Sequence, residues 1–268
     1  MTDIVHLLQY GFIQKAFVAG IFVSIVCAIL GVFLVLRRWS LIGDGLSHVS
    51  FGAVAVGLFL GWYPLYVSLP LVIIASLFIL RLTEKSGLFG DAAIGIVSAV
   101  GLSTGVVLAS VGHGFNVDLL SYLFGNILAI STEEMVTSII LSLVLLFIII
   151  FLYHDLVALS FQEDAAKVSG VKTKWINNLL VVLTAIVVVL SIRVVGILLI
   201  SALLILPAAT ALQLQKSFKM TIMMASVFAI LSVISGILLS FYGDIPAGAT
   251  IVLVNFIFFI TAFLFRKK

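Results

Sequence analysis

An all-α bundle of about eight or nine transmembrane helices is the fold class this 268-residue sequence predicts, and three observations predict it. Of its residues 63% are hydrophobic and only 9% are charged, whereas a soluble domain carries about 25% charged residues and could not cover its surface with so few. The apolar residues recur in blocks of about 20, the length of helix that crosses a hydrocarbon layer of roughly 30 Å. A lipid-facing barrel would show alternation over segments of about ten residues, and the run from Ile139 to Leu152 shows none. These properties exclude a soluble enzyme or binding domain, and helices follow because every backbone polar group in lipid must be satisfied within its own segment.

The blocks place helices at about Phe12 to Leu36, Leu41 to Leu60, Leu65 to Leu82 and Asp91 to Val111. A fifth runs from about Met135 to Tyr153. After a polar stretch come Ile176 to Ile192, Val194 to Leu212, Met220 to Ser240 and Ala247 to Phe265. In the second block Gly43, Gly45, Gly52, Gly57 and Gly61 stand among Ser47, Ser50 and Ala53. Small residues let helices approach closely in lipid, so this helix is expected inside the bundle. Pro207 is expected to kink the seventh helix and to free a carbonyl.

The formal charge of +3 does not indicate nucleic-acid binding, because the basic residues lie in ones, twos and threes between apolar blocks. They act instead as topology signals. If the first helix ends inside, that side collects Arg37, Arg38, Arg81, Lys85, Lys167, Lys172, Lys174, Lys216, Lys219, Arg266, Lys267 and Lys268, leaving Lys15 and Arg193 at the other. This bias places the N-terminus outside and the C-terminus in the cytoplasm, and it favours two crossings between Ile176 and Leu212. The opening residues, with Asp3 and His6 ahead of the first block, lack the basic region of a cleaved leader, and none is expected. The lone Cys27 is read as a small packing residue, and residues 1–268 as one transmembrane domain.

Two connections are more than turns. Outside, Gly112 to Asp118 precedes the apolar run Leu119 to Ile130, which is too short to cross and return and is expected to lie on the surface or re-enter. Inside, residues 154–175 carry a short helical piece, with Ala165, Ala166 and Val168 beside Glu163, Asp164 and Lys167, and Gly170 as its C-cap.

Asp44 and His48 are the most informative polar pair. Four-residue spacing puts both on one helix face, and a carboxylate with an imidazole suits Zn, Mn or Fe. Both are costly in a bilayer unless they face a cavity or a partner. The position also admits a plainer role, with Asp44 capping a helix that begins at Gly45 and His48 packed. Two ligands suit transport better than a structural zinc site, since a transported ion must also leave.

His113 and Asp118, with Asn116, are weaker candidates at an outer mouth. Glu133 and Glu134 read as complements to a helix N-terminus, and Asp244 as a turn residue. His154 and Asp155 stand without a G-x-S-x-G elbow or an H-E-x-x-H pair anywhere in the chain, so no hydrolase is indicated. The phosphate loop G-x-x-x-x-G-K-[ST] is absent too, so any ATP-driven process needs its engine on another polypeptide.

Three stretches carry a resemblance. They are Leu36 to His48, with Arg37, Arg38, Trp39, Gly43, Asp44 and His48; Gln162 to Val171; and Val194 to Ala211, with Gly196, Ser201 and Pro207. In that order they resemble the membrane permease subunit of the bacterial zinc/manganese/iron ATP-binding-cassette importers, the ABC-3 family. The resemblance implies a multi-pass protein of the bacterial inner membrane, not itself an enzyme and holding no permanent cofactor. It implies a dimer of permease subunits, two cytoplasmic ATPase subunits and an external metal-binding receptor. Asp44 and His48 would line the metal path, and Glu163, Asp164, Ala166, Lys167 and Gly170 would form the helix that couples to the ATPase. Zinc is expected first, with manganese as the other cargo. A secondary transporter or channel for divalent cations is the alternative reading.

Overall fold

The computed structural model describes residues 10–86, 89–112, 125, 130–197, 200–214 and 217–265. Among them the helices are α1 (Gly11–Leu36), α2 (Ile42–Phe59), α3 (Pro64–Ser86), α4 (Gly90–Val111), α5 (Thr132–Phe151), α6 (Tyr153–Phe161), α7 (Glu163–Val168), α8 (Thr173–Val195), α9 (Ile200–Gln213), α10 (Phe218–Gly243) and α11 (Ala247–Leu264). Eight of these are long and apolar enough to cross a membrane, and α9 is the shorter apolar helix beside them. The protein is therefore an all-α, multi-pass membrane bundle, as the composition predicts.

Turn chemistry sets several boundaries. Helix α1 ends in a Schellman motif, in which the Trp39 and Arg38 N–H groups donate to the Leu34 and Val35 carbonyls. Arg38 takes the left-handed conformation that glycine usually supplies there, with φ 59. Helix α7 ends in the same way, with Val171 and Gly170 donating to Ala166 and Lys167 and Gly170 at φ 87, so Gly170 terminates the helix as its sequence position implies. Asp244 at φ 50 is the C-cap of α10, a turn residue as read.

Two of the boundaries that differ from the sequence reading have a clear local cause. Helix α5 begins at Thr132 rather than near Met135, because Ser131 and Glu134 form a capping box. Glu134 thus does more than complement the dipole. Between α8 and α9 the break falls at Gly196, whose φ of 87 ends α8 beyond Arg193, and α9 resumes only at Ile200. Pro207 lies inside α9, leaving the Leu203 carbonyl without a helical donor.

The connectivity sorts the molecule into two ends. The turn after α1, the C-terminus of α3 and the N-terminus of α4 share one cavity, lined by Arg38, Trp39, Thr83 and Asp91. Phe218, opening α10, packs its ring on Phe33, Tyr153 and Phe161 at the same end. At the opposite end Tyr63 donates to Glu134, and Pro64, Leu65, Val189 and Ile192 gather around them. Helix α8 therefore rises from the first end to the second, and the shorter α9 leads back toward the first. Arg37, Arg38, Arg81, Lys85, Lys167, Lys172, Lys174 and Lys219 all fall at the first, basic end, while Lys15 opens α1 at the other.

Helices α1, α2 and α8 are the most enclosed spans, and α3, α4 and α5 present most of their surface outward. Ile74, Phe147, Ile150 and Leu253 are exposed as lipid-facing side chains, and exposed Trp62, Tyr66, Tyr242 and Trp175 stand at the two ends where aromatic belts form. Interior hydroxyls return a bond to their own helix, as Ser50 does to Leu46 and Thr184 to Leu180. The glycine-rich α2 packs as expected: a Cβ on Gly52 would collide with the Gly101 carbonyl of α4, and one on Gly31 of α1 with the Leu204 carbonyl of α9.

Candidate functional site

Helix α2 starts at Ile42 with Leu41 as its N-cap, so Asp44 lies within the first turn and is not the cap of a helix beginning at Gly45. A carboxylate there is favoured by the helix dipole. Ser47 Oγ donates to the Asp44 carbonyl at 2.7 Å and is itself buried. The flanking Gly43 and Gly45 are filled by Leu204 of α9 and Ile94 of α4, which fixes the rotation of α2 and leaves the Asp44 and His48 face partly open.

The His48 Nε2 lies 3.9 Å from Asp44 Oδ2, with the two side chains 24% and 49% exposed. His48 Nδ1 is buried and has no hydrogen-bond partner among the described residues. The pair is thus assembled on one central helix, with one nitrogen enclosed and the other facing the carboxylate. No group of three or more His, Cys, Asp or Glu side chains gathers anywhere among the described residues. His113 and Asp118 lie outside the described residues.

At the basic end α7 packs one face on the bundle and turns the other outward. Ala166 is buried against the bundle, whereas Asp164 and Val168 are almost fully exposed. Lys167 Nζ lies 3.3 Å from Glu163 Oε1 and 3.6 Å from Asp164 Oδ1, and its bond to Glu163 raises its pKa. The other Glu163 oxygen accepts from Arg37 at 3.2 Å, and Arg37 also donates to Asn177 of α8. Burial lowers the Arg37 pKa while the neighbouring Glu163 carboxylate opposes that shift. Sequence reasoning took Arg37 as a topology signal and as part of the stretch that carries the resemblance, gave it no contact, and passed over Asn177. His154 and Asp155 open the separate helix α6, where the His154 ring packs edge-on against Tyr153.

Residues 9–266 match the model of the ABC 3 transport family. The chain belongs to that family. It is 36% identical over 262 residues to "Manganese transport system membrane protein MntC" of Listeria innocua, a match spanning 98% of this chain and 93% of that protein. It is 32% identical over 253 residues to "High-affinity zinc uptake system membrane protein ZnuB" of Haemophilus influenzae, covering 94% and 97% of the two chains. Among solved structures it superposes with a TM-score of 0.89 on "PsaBC from Streptococcus pneumoniae in complex with Fab", at 33% identity, over 99% of this chain and 95% of that one. This ABC 3 protein is therefore the membrane permease subunit of an ATP-binding-cassette importer of divalent metal. It is a transport component rather than an enzyme, and ATP hydrolysis resides on a separate subunit.

Proposed function

We propose that this permease passes a first-row divalent cation, manganese ahead of zinc, along a path lined by Asp44 and His48. The carrying observation is the pair itself: a carboxylate and an imidazole 3.9 Å apart, half-open, on a central glycine-packed helix. Asp44 supplies a charged oxygen able to compete with water, and neutral His48 supplies the nitrogen that favours transition metals over Mg or Ca. Two ligands hold such an ion loosely enough to release it, and water or a second copy of the chain completes the shell. The metal order departs from the zinc-first expectation because relatives named for manganese transport reach 35% and 36% identity, against 34% for one named for iron and 32% for one named for zinc.

The basic end is cytoplasmic in this reading, as the positive-inside rule requires, with the N-terminus outside the bacterial inner membrane. The segment 154–175 faces the ATPase, and α7 with its exposed Asp164 and Val168 docks there. Two permease copies, two ATPase subunits and an external metal receptor complete the importer.

The test is uptake of radioactive Mn2+ and Zn2+ in competition, into vesicles holding this chain and its ATPase partner. Uptake that needs ATP and prefers Mn2+ is expected. A Zn2+ preference would reverse the metal order, and uptake driven by an ion gradient without the ATPase would overturn the energy source.

A further inference from the structure

Arg37 is the C-cap of α1, with its side chain only 8% exposed. One guanidinium nitrogen bonds Asn177 Oδ1 on α8, another bonds Glu163 Oε2 on α7 at 3.2 Å, and the guanidinium carbon sits 4.9 Å from the centre of the Trp39 ring. Three separate elements meet on one planar cation. Immediately beyond it the chain passes through left-handed Arg38 into α2, where Ile42 N–H donates to the Trp39 carbonyl and the first helical turn presents Asp44. The turn that carries Arg37 therefore leads directly into the helix that carries the metal pair.

From this arrangement we infer that Arg37 is the positioning residue that transmits movement of α7 to Asp44 and His48, with Glu163 as its counterpart on α7. The inference rests on the reading of α7 as the ATPase contact. A guanidinium does this work and an ammonium does not, because two donors in a fixed fork engage two different elements at once. Its burial makes the connection obligatory. If α7 shifts and Arg37 stays, a nearly enclosed cation loses its carboxylate, a costly arrangement in a poorly solvated site. The α1–α2 turn therefore follows Glu163. Lys167 holds the second Glu163 oxygen, so the carboxylate moves with α7 rather than rotating free of it.

The test uses proteoliposomes containing this chain, its ATPase subunits and the external receptor loaded with Mn2+ or Zn2+. Arg37→Lys, Glu163→Gln, the double variant and Ala166→Pro are compared for metal-stimulated ATP hydrolysis, for metal bound at the membrane site, and for the amount of assembled complex. Arg37→Lys and Glu163→Gln are expected to bind metal as the parent does, yet to lose stimulation by roughly tenfold, the scale of one charge-assisted bond. The double variant is expected to lose no more than either single one, because both changes break the same link. Parental stimulation per assembled complex in Arg37→Lys and Glu163→Gln would overturn the inference, as would losses that multiply in the double variant. Should Arg37→Lys fail to assemble, Glu163→Gln decides, since it removes only the charge from a half-exposed side chain. Loss in Ala166→Pro with parental stimulation in both others would sink the Arg37 link alone. Parental stimulation in Ala166→Pro would remove α7 as the ATPase contact, and the link with it.

Discussion

Arg38 closes α1 at φ 59, a conformation that costs a residue with a Cβ roughly 1 kcal/mol and that glycine adopts freely. Replacing Arg38 by Gly is therefore expected to stabilise the turn by about 0.5–1 kcal/mol, read as a higher thermal unfolding midpoint in detergent. A lower midpoint would mean that the side chain contributes more in the cavity beside Thr83 and Asp91 than its backbone strain costs. Single residues also show what a sequence discloses and what it withholds. The Asp44 and His48 pair is legible because one helical turn separates them, and local periodicity fixes their common face. The role of Arg37 is not, because its partners Glu163 and Asn177 lie 126 and 140 residues away and only the folded bundle unites them. Gly170 is legible as a helix stop; Arg38 in the same kind of motif is not, since its side chain argues against that conformation.

Helix α2 owes its place to what its glycines lack. A Cβ at Gly52 meets the Gly101 carbonyl of α4, whereas one at Gly95, on the exposed face of α4, meets nothing within 4 Å. Gly52→Ala must therefore force two backbones apart and is expected to cost about 1–3 kcal/mol, while Gly95→Ala is expected to be neutral or to gain up to about 1 kcal/mol of helix propensity. Thermal unfolding of the two variants side by side checks this, and equal midpoints would contradict the close packing of α2 on α4. The order of the eight long spans follows from hydrophobic length, whereas the short α9 is set apart from α8 in the sequence by the charge pattern. Their ends follow from local chemistry that length does not report, such as the Ser131 and Glu134 capping box of α5 and the left-handed Gly196 that stops α8. Both signals stand in the sequence, but apolar runs extending past them obscure the breaks.

For the whole molecule, the two-ended arrangement makes a direct forecast about sidedness. With Cys27 replaced by Ala, single cysteines at Ser110, near the end of α4, and at Ser169, beyond α7, are expected to react with an impermeant thiol reagent from opposite faces of the membrane, Ser110→Cys from outside. Both positions are exposed in the fold. Labelling of both from one face would contradict the crossing pattern, and reversal of the two would contradict the assignment of the basic end to the cytoplasm. The central claim is that Asp44 and His48 line the metal path, and initial Mn2+ and Zn2+ uptake rates against metal concentration test it most directly, normalised to assembled complex. Asp44→Asn keeps the side-chain size and removes the charge, so the rate is expected to fall by at least about tenfold, consistent with losing a charged ligand. His48→Ala is expected to lower it as well and to weaken discrimination against Mg2+. Rates and metal preference equal to those of the parent in both variants would contradict the account.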